Sequence, residues 1–281
     1  MKAFNYYTIL LINLLILGTS SIIYGQSTNT KAAPLDNFYQ RELLQDKPVL
    51  AYDNTHEKDV LWEKRIWREI EVREKMNHHF IHEKAYFINI LLDAIKDKKI
   101  TAYYPIRDDF SSPIPYEEAK LLGITIDTVI CSFGCFDDYV LETVHNELDP
   151  SDVKRYRLKE VWYFDEETSS MGVRILGVAP IIDRYDDNGN FLNSGPMFWA
   201  YYPELRKTLA RTEAFTSNNG SGRMSWDDIF EARLFSSHIV KESNTANRRI
   251  KDYKTSPIDM LLEADKIKNE VFHFEHDLWS Y

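Results

Sequence analysis

Between Lys154 and Asp165 the chain alternates, with Tyr156, Leu158, Trp162 and Phe164 all on even positions and Arg157 and Lys159 on odd ones. Successive side chains of a strand point to opposite faces, so a row of large apolar groups on one parity specifies a sheet with a covered face. Val173, Ile175 and Leu176 to Val178 extend the apolar character beyond the acidic turn from Glu166 to Ser170. The two runs are expected to pair antiparallel. A third strand is expected from Phe191 or Met197 to Tyr202, after the Asp186 to Asn190 turn, whose Asn188-Gly189 pair suits a hairpin with positive φ. Hairpins within 154–202 therefore anchor whatever fold the chain adopts.

Helical signals flank this segment. Trp62, Ile66 and Ile70 recur every four residues between Asp59 and Met76, with Trp67 beside them, which predicts an amphipathic helix. Leu61, Val72 and Met76 would lie on another side of it. Further helices are predicted from Glu83 to Lys98, from Tyr116 to Leu122 before Gly123, and from Tyr139 to Glu147. Ile100 to Tyr104 reads as a strand. Pro203 opens a helix to about Arg211, because proline is tolerated at the first helical position. Ser225 with Asp228 forms a capping-box pattern for a helix to Leu234, and Ser256-Pro257 starts one to about Asn269. Helices from both ends around a central antiparallel sheet define an α+β class.

Composition narrows the setting. An aromatic share of 14% excludes a disordered chain, and a mean hydropathy of -0.42 excludes a polytopic membrane protein. Residues 1–25 join Lys2 to an apolar run from Thr8 to Leu17, interrupted by Asn13, and then to Gly18-Thr19-Ser20-Ser21. This is the pattern of a secretory signal cleaved after Gly25, and the run is shorter than the ~20 residues needed to cross a bilayer. Its loss removes a lysine and no carboxylate from a chain of net charge -10, so nucleic acid is an unsuitable partner. Residues 26–56 are polar and aperiodic and read as an extended arm, which leaves 57–281 as a single domain. In an oxidising compartment Cys131 and Cys135 could close a small disulfide or remain two thiols in a tight turn; spacing does not decide between them.

Chemical motifs are sparse. His78, His79 and His82 cluster, but no Cys pair or acidic ligand follows at a zinc-site interval, and His273 and His276 read likewise as solvated or capping residues. The carboxylates from Asp183 to Asn190 resemble a calcium loop, but with Gly189 at the sixth loop position the first ligand position falls on Arg184. A nucleophile elbow, a Walker loop, a dinucleotide fingerprint and a zinc-protease helix are all missing. No metal or cofactor is therefore expected. The aromatics say more. Strand residues Phe198, Trp199, Tyr201 and Tyr202 place large rings on both faces, and such rings commonly anchor interfaces. Trp62, Arg65, Trp67, Phe198, Trp199 and Tyr201 are accordingly the candidate partner contacts.

Several blocks in order resemble the GldN/PorN family of the Bacteroidetes type IX secretion and gliding machinery. They are Val60 to Ile70 with Arg73 to Asn77, Lys159 to Asp165, Leu176 to Pro180, Met197 to Arg206, Ala232 to Ser237, and the ending Glu275 to Trp279. The resemblance runs from about residue 57 to the C-terminus and leaves the arm uncovered. It implies a non-enzymatic periplasmic component that assembles with a GldK/PorK-like lipoprotein into a ring beneath the outer membrane. It also implies contact with a GldM/PorM-like stalk anchored in the inner membrane, self-association around the ring, and no membrane span of its own. The competing expectation is a periplasmic hydrolase using an unidentified carboxylate pair.

Overall fold

The computed structural model describes residues 48–82, 85–123, 126–131, 140–145, 148–185, 190–215 and 224–279. The expected export segment 1–25, most of the expected 26–56 arm, the expected Asn188-Gly189 turn, the Cys131 side chain and Cys135 lie outside the described residues, so the disulfide expectation falls there too. The described fold is α+β with a central antiparallel sheet, as the alternation predicts.

The first strand, β1 (Val60–Glu71), is also the largest departure from expectation, because the predicted helix over Asp59–Met76 is extended backbone. A spacing of four satisfies both a 3.6-residue helix and the even parity of a strand, so Trp62, Ile66 and Ile70 did not discriminate. Pairing decides. β1 aligns with β6 (Val153–Asp165) from Val60 opposite Asp165 to Glu71 opposite Arg155. β6 in turn pairs with β7 (Ser170–Tyr185) along its whole length, which realises the expected hairpin.

Short strands β2 (Ala102–Tyr103) and β3 (Pro113–Ile114) extend one side of the sheet. A separate hairpin joins β4 (Ile126–Cys131) to β5 (Val140–His145). The second of these corrects the predicted Tyr139–Glu147 helix, in keeping with its β-branched Val140, Thr143 and Val144. The expected third strand becomes two, β8 (Phe191–Pro196) and β9 (Trp199–Tyr201), both antiparallel to β7. A small ribbon of β10 (Glu213–Ala214) and β11 (Met224–Ser225) follows, and β12 (His238–Glu242) closes the sheet beside β1. The order is β12-β1-β6-β7-β9-β2-β3, with β8 branching from β7.

Helix α1 (Phe87–Lys96) buries Phe87, Ile88, Leu91, Ala94 and Ile95, a stripe with helical spacing. Helix α2 (Tyr116–Leu121) is as predicted to within a residue. Helix α3 (Tyr202–Leu209) carries Pro203 in its first turn. Helix α4 (Trp226–Glu231) starts at the expected capping box, in which the Ser225 hydroxyl accepts from the Asp228 backbone at 3.2 Å while Asp228 accepts from the Ser225 backbone at 2.8 Å. It stops before Leu234. Helix α5 (Pro257–Trp279) runs ten residues past the expected end at Asn269.

The main core gathers Ile70, Phe80, Phe87, Tyr156, Leu158, Val178, Phe198, Tyr202, Trp226 and Phe230 among α1, α3, α4 and the sheet. A second cluster, Ile66, Ile239, Ile250, Ala264, Ile267 and Val271, lies where α5 packs along the sheet. Trp67, Ala179 and Trp199 form a third, flanked by Tyr103, Phe110 and Val240. Ile66 and Trp67 are consecutive on a strand, so the second and third clusters use opposite faces of β1.

Candidate functional site

The face of the sheet that carries Trp67 is unusually basic for an acidic chain. Arg157 stands directly across the β1–β6 ladder from Glu69 and donates to it from Nε at 3.0 Å and from Nη2 at 2.5 Å. Arg155 reaches the same carboxylate at 3.6 Å, forms an ion pair with Asp183, and donates to the Ser194 hydroxyl at 2.6 Å. One buried carboxylate thus sits between two guanidiniums.

Two cavities open above this floor. The larger, about 360 Å³, is bounded by Glu69, Arg155, Arg157 and Arg249 on its polar side and by Ile239, Ile250, Met260 and Leu261 on its apolar side. The smaller, about 140 Å³, is bounded by Trp67, Trp199, Asp108, Arg157, Lys241 and Arg249. Arg157, Val240 and Arg249 belong to both, so the cavities form one groove.

Within it, Lys241 Nζ lies 4.1 Å from the centre of the Trp67 ring, and Lys159 Nζ lies 5.8 Å from the same ring. Two ammoniums on one indole are favourable cation–π contacts that leave the positive charges close together. Lys159 is held by the Asp108 carbonyl and lies 3.7 Å from the Asp108 carboxylate. Among the described residues neither the Lys241 ammonium nor the Arg249 guanidinium has an acidic partner within 4 Å, although the Arg249 backbone N–H donates to Asp252 at 2.8 Å. Burial lowers the pKa of both: at Lys241 it is opposed by the Asp108 carboxylate and aided by the Arg249 and Arg157 guanidiniums, and at Arg249 it is aided by Arg157 and opposed by Asp252, Glu69 and Asp108. Trp67 Nε1 is buried without a hydrogen-bond partner among the described residues.

A second polar cluster pins part of the arm. Arg206 donates to Asp227 through Nε at 3.0 Å and Nη2 at 3.2 Å, and through Nη1 to the Leu50 carbonyl at 2.8 Å. Tyr52 donates to Glu231 at 2.6 Å and lies under the Arg206 guanidinium, 4.2 Å from its ring centre. Burial and the Glu231 hydrogen bond push the Tyr52 phenol up. Arg174 donates to Thr55 Oγ1 at 3.1 Å. Residues 50–55 of the expected arm are therefore fixed to the folded body, which their polar aperiodic sequence did not signal.

The sequence-predicted contacts separate into three groups. Phe198 is 0% exposed and belongs wholly to the main core. It cannot present its ring to a partner, because β9 is covered on that face by the chain's own helices. Trp67, 7% exposed, and Trp199, 2% exposed, are buried as well, but they line the smaller cavity. Trp62 stacks on Phe274 of α5 at 4.7 Å, Tyr201 packs edge-on to Phe110 at 5.3 Å, and Arg65 is exposed. Arg157, Lys241 and Arg249 escaped sequence reading because charges on strands and loops ordinarily mark a solvated face.

The histidines are dispersed by packing. His79 contacts Phe80 and Trp226, whereas His82 stacks on Phe215 with ring centres 4.0 Å apart. Among the described residues no group of three or more His, Cys, Asp or Glu is placed to hold a metal ion. No helix among them is long and apolar enough to cross a membrane.

Among curated proteins no match is found. The sequence model of a family described as gliding motility associated protein GldN matches residues 55–280, which takes in β1, the whole central sheet, both polar clusters apart from residues 50–53, and α5. By that match the chain belongs to the GldN family of gliding motility associated proteins.

Proposed function

We propose that this chain is a non-enzymatic, periplasmic structural component of the type IX protein secretion and gliding machinery. In this reading residues 1–25 direct export, and residues 57–281 act as a single domain. That domain assembles with a GldK/PorK-like lipoprotein, and with further copies of itself, into a ring under the outer membrane. A GldM/PorM-like stalk links the ring to the inner-membrane motor. The observation that carries the reading is the family match over residues 55–280. The lipoprotein would supply the membrane attachment that no helix of the described residues could supply by crossing the bilayer.

The geometry is in keeping with a docking role. Asp227 and Glu231, two carboxylates near each other, are both reached by Arg206 and both accept from the Tyr202 phenol, with Tyr52 also donating to Glu231; Glu231 is exposed but Asp227 is buried. A hydrolytic pair needs access to substrate and water. Trp62, Arg65 and Tyr201 remain candidate contacts, joined now by the basic groove. Crosslinked pull-down of the tagged mature protein from cell envelopes tests the assembly, with recovery of a lipoprotein and a motor-stalk protein as the expected result. Recovery of neither would refute it, as would undiminished secretion of type IX cargo by a deletion strain.

A further inference from the structure

The basic groove has a chemical signature of its own. Buried or half-buried charges in proteins are normally paired, since the cost of removing an ion from water must be offset by an opposite charge nearby. Here Asp and Glu outnumber Lys and Arg 44 to 34, yet among the described residues the Lys241 ammonium and the Arg249 guanidinium stand in a recess with no carboxylate within 4 Å; Asp252, the nearest to Arg249 in sequence, is taken by the Arg249 backbone N–H at 2.8 Å. The carboxylates lining the groove are already engaged, Glu69 by Arg157 and Asp108 by Lys159. Trp67, whose buried indole N–H has no acceptor among the described residues, lines the smaller cavity beside these cations. The two cations call for an anionic partner.

The larger cavity sets a second requirement. Its volume of about 360 Å³ lies at the lower end of the roughly 300–1,000 Å³ typical of ligand pockets. Its far wall is aliphatic, formed by Ile239, Ile250, Met260 and Leu261. An inorganic anion would satisfy the cations but leave this wall unused. An extended peptide that alternates acidic and aliphatic side chains would fill both halves of the groove.

We infer that the groove between β12, the loop carrying Arg249, and the start of α5 is a docking site for an acidic, aliphatic peptide segment of a protein partner. A carboxylate of that segment lies between Lys241 and Arg249, and an aliphatic side chain enters beside Met260. This deepens the assembly role proposed above and rests on it for the occupant being a protein. The chemistry of the groove can nevertheless be tested without the envelope, so the two readings can fail separately.

The test uses the full mature chain and a fluorescein-labelled peptide alternating Glu and Leu, with binding read by fluorescence anisotropy. Binding is expected to weaken as salt rises, because the contact is largely ionic. The Gln-Leu analogue is expected to bind at least about tenfold more weakly, and Arg249→Glu and Lys241→Gln to lose about five- to tenfold each. Arg249, half-buried in a loop, is the site for charge reversal, whereas Lys241→Gln keeps a polar chain over Trp67. Lys268→Gln, outside the groove, is expected to leave affinity unchanged. Equal binding of the neutral peptide, or indifference to both groove substitutions in variants with wild-type circular dichroism, would overturn the proposal. So would equal binding of a Glu-Ser peptide together with full displacement by inorganic phosphate, since the site would then take small anions only.

Discussion

The carboxylate of Glu160, with no exposed surface, accepts from the Arg233 guanidinium at 2.8 and 3.1 Å. Glu160 lies on β6 between Leu158 of the main core and Trp162 of the α5 cluster, and it also accepts from Trp162 Nε1 at 3.1 Å. The pair stitches two apolar clusters together, since the cross-strand neighbours of Glu160 are Ile66 of the α5 cluster and Ile175 of the main core. Removing one partner of a buried pair strands the other, at a cost of about 3–5 kcal/mol. Arg233→Ala is therefore expected to be strongly destabilising in urea denaturation. Glu160→Leu combined with Arg233→Met should recover much of the loss; a double variant as unstable as the sum of the singles would show no coupling.

The pinned arm segment yields a proteolytic prediction. Arg206 joins the Leu50 carbonyl, the Tyr52 ring and Asp227 in one fork, so Arg206→Lys loses the paired contact to Asp227 along with the stacking geometry. Limited proteolysis is expected to cleave within residues 48–56 several-fold faster in this variant, and faster to a lesser degree in Tyr52→Phe, which lacks only the bond to Glu231. Unchanged cleavage in both would mean that other contacts hold the segment.

His79 makes stability depend on pH. Burial beside Phe80 and Trp226 lowers its pKa from 6.5 to about 4, against an opposing backbone hydrogen bond at Met76, with a small further lowering from His78. The unfolded chain then binds more protons than the folded one between pH 6.5 and 4, so this contribution is fully present above pH 6.5 and is lost as pH falls toward 4. Thermal unfolding of the wild type across that window is expected to show the decline, and His79→Gln should flatten it. An identical slope in the variant would assign the effect to other groups.

Gly177 makes room for Phe110 beside Trp199, which lines the smaller cavity. A Cβ there would fall 2.6 Å from Phe110 Cζ, closer than real Cβ atoms approach, and 3.2 Å from Trp199 Cε3, a tight contact. Phe110, at φ 56°, is already in the left-handed region, and Lys159 Nζ lies 5.2 Å from its ring centre. Gly177→Ala is expected to cost about 1–3 kcal/mol by overpacking and to alter the near-ultraviolet circular dichroism of Trp199. Phe110→Ala in the same chain should relieve part of that cost. Additive losses would place the strain elsewhere.

Locally encoded features were legible in the sequence. The alternation of Tyr156, Leu158, Trp162 and Phe164 identified the central hairpin, because a strand's parity is a property of its own residues. The Ser225–Asp228 capping box was equally readable, since both partners lie within one turn. β1 was not. Its even row contains Lys64 and Arg68, charges that argue against a covered strand until their partners are known: Glu242 and Glu270 for Lys64, and the Ser237 hydroxyl, 3.0 Å away, for Arg68.

The candidate site belongs to the same class of problem. Arg157 comes from β6, Lys241 from β12 and Arg249 from the loop beyond it, and each taken alone resembles a solvated surface charge. By itself the sequence determined the α+β class, the central antiparallel hairpin and the helix start at Ser225, because periodicity and capping act over a few neighbouring residues. Only the tertiary structure decided that β1 is a strand, that Phe198 is core, and that basic residues far apart in the chain share one groove. Those outcomes depend on partners distant in sequence, whose proximity exists only once the sheet has assembled.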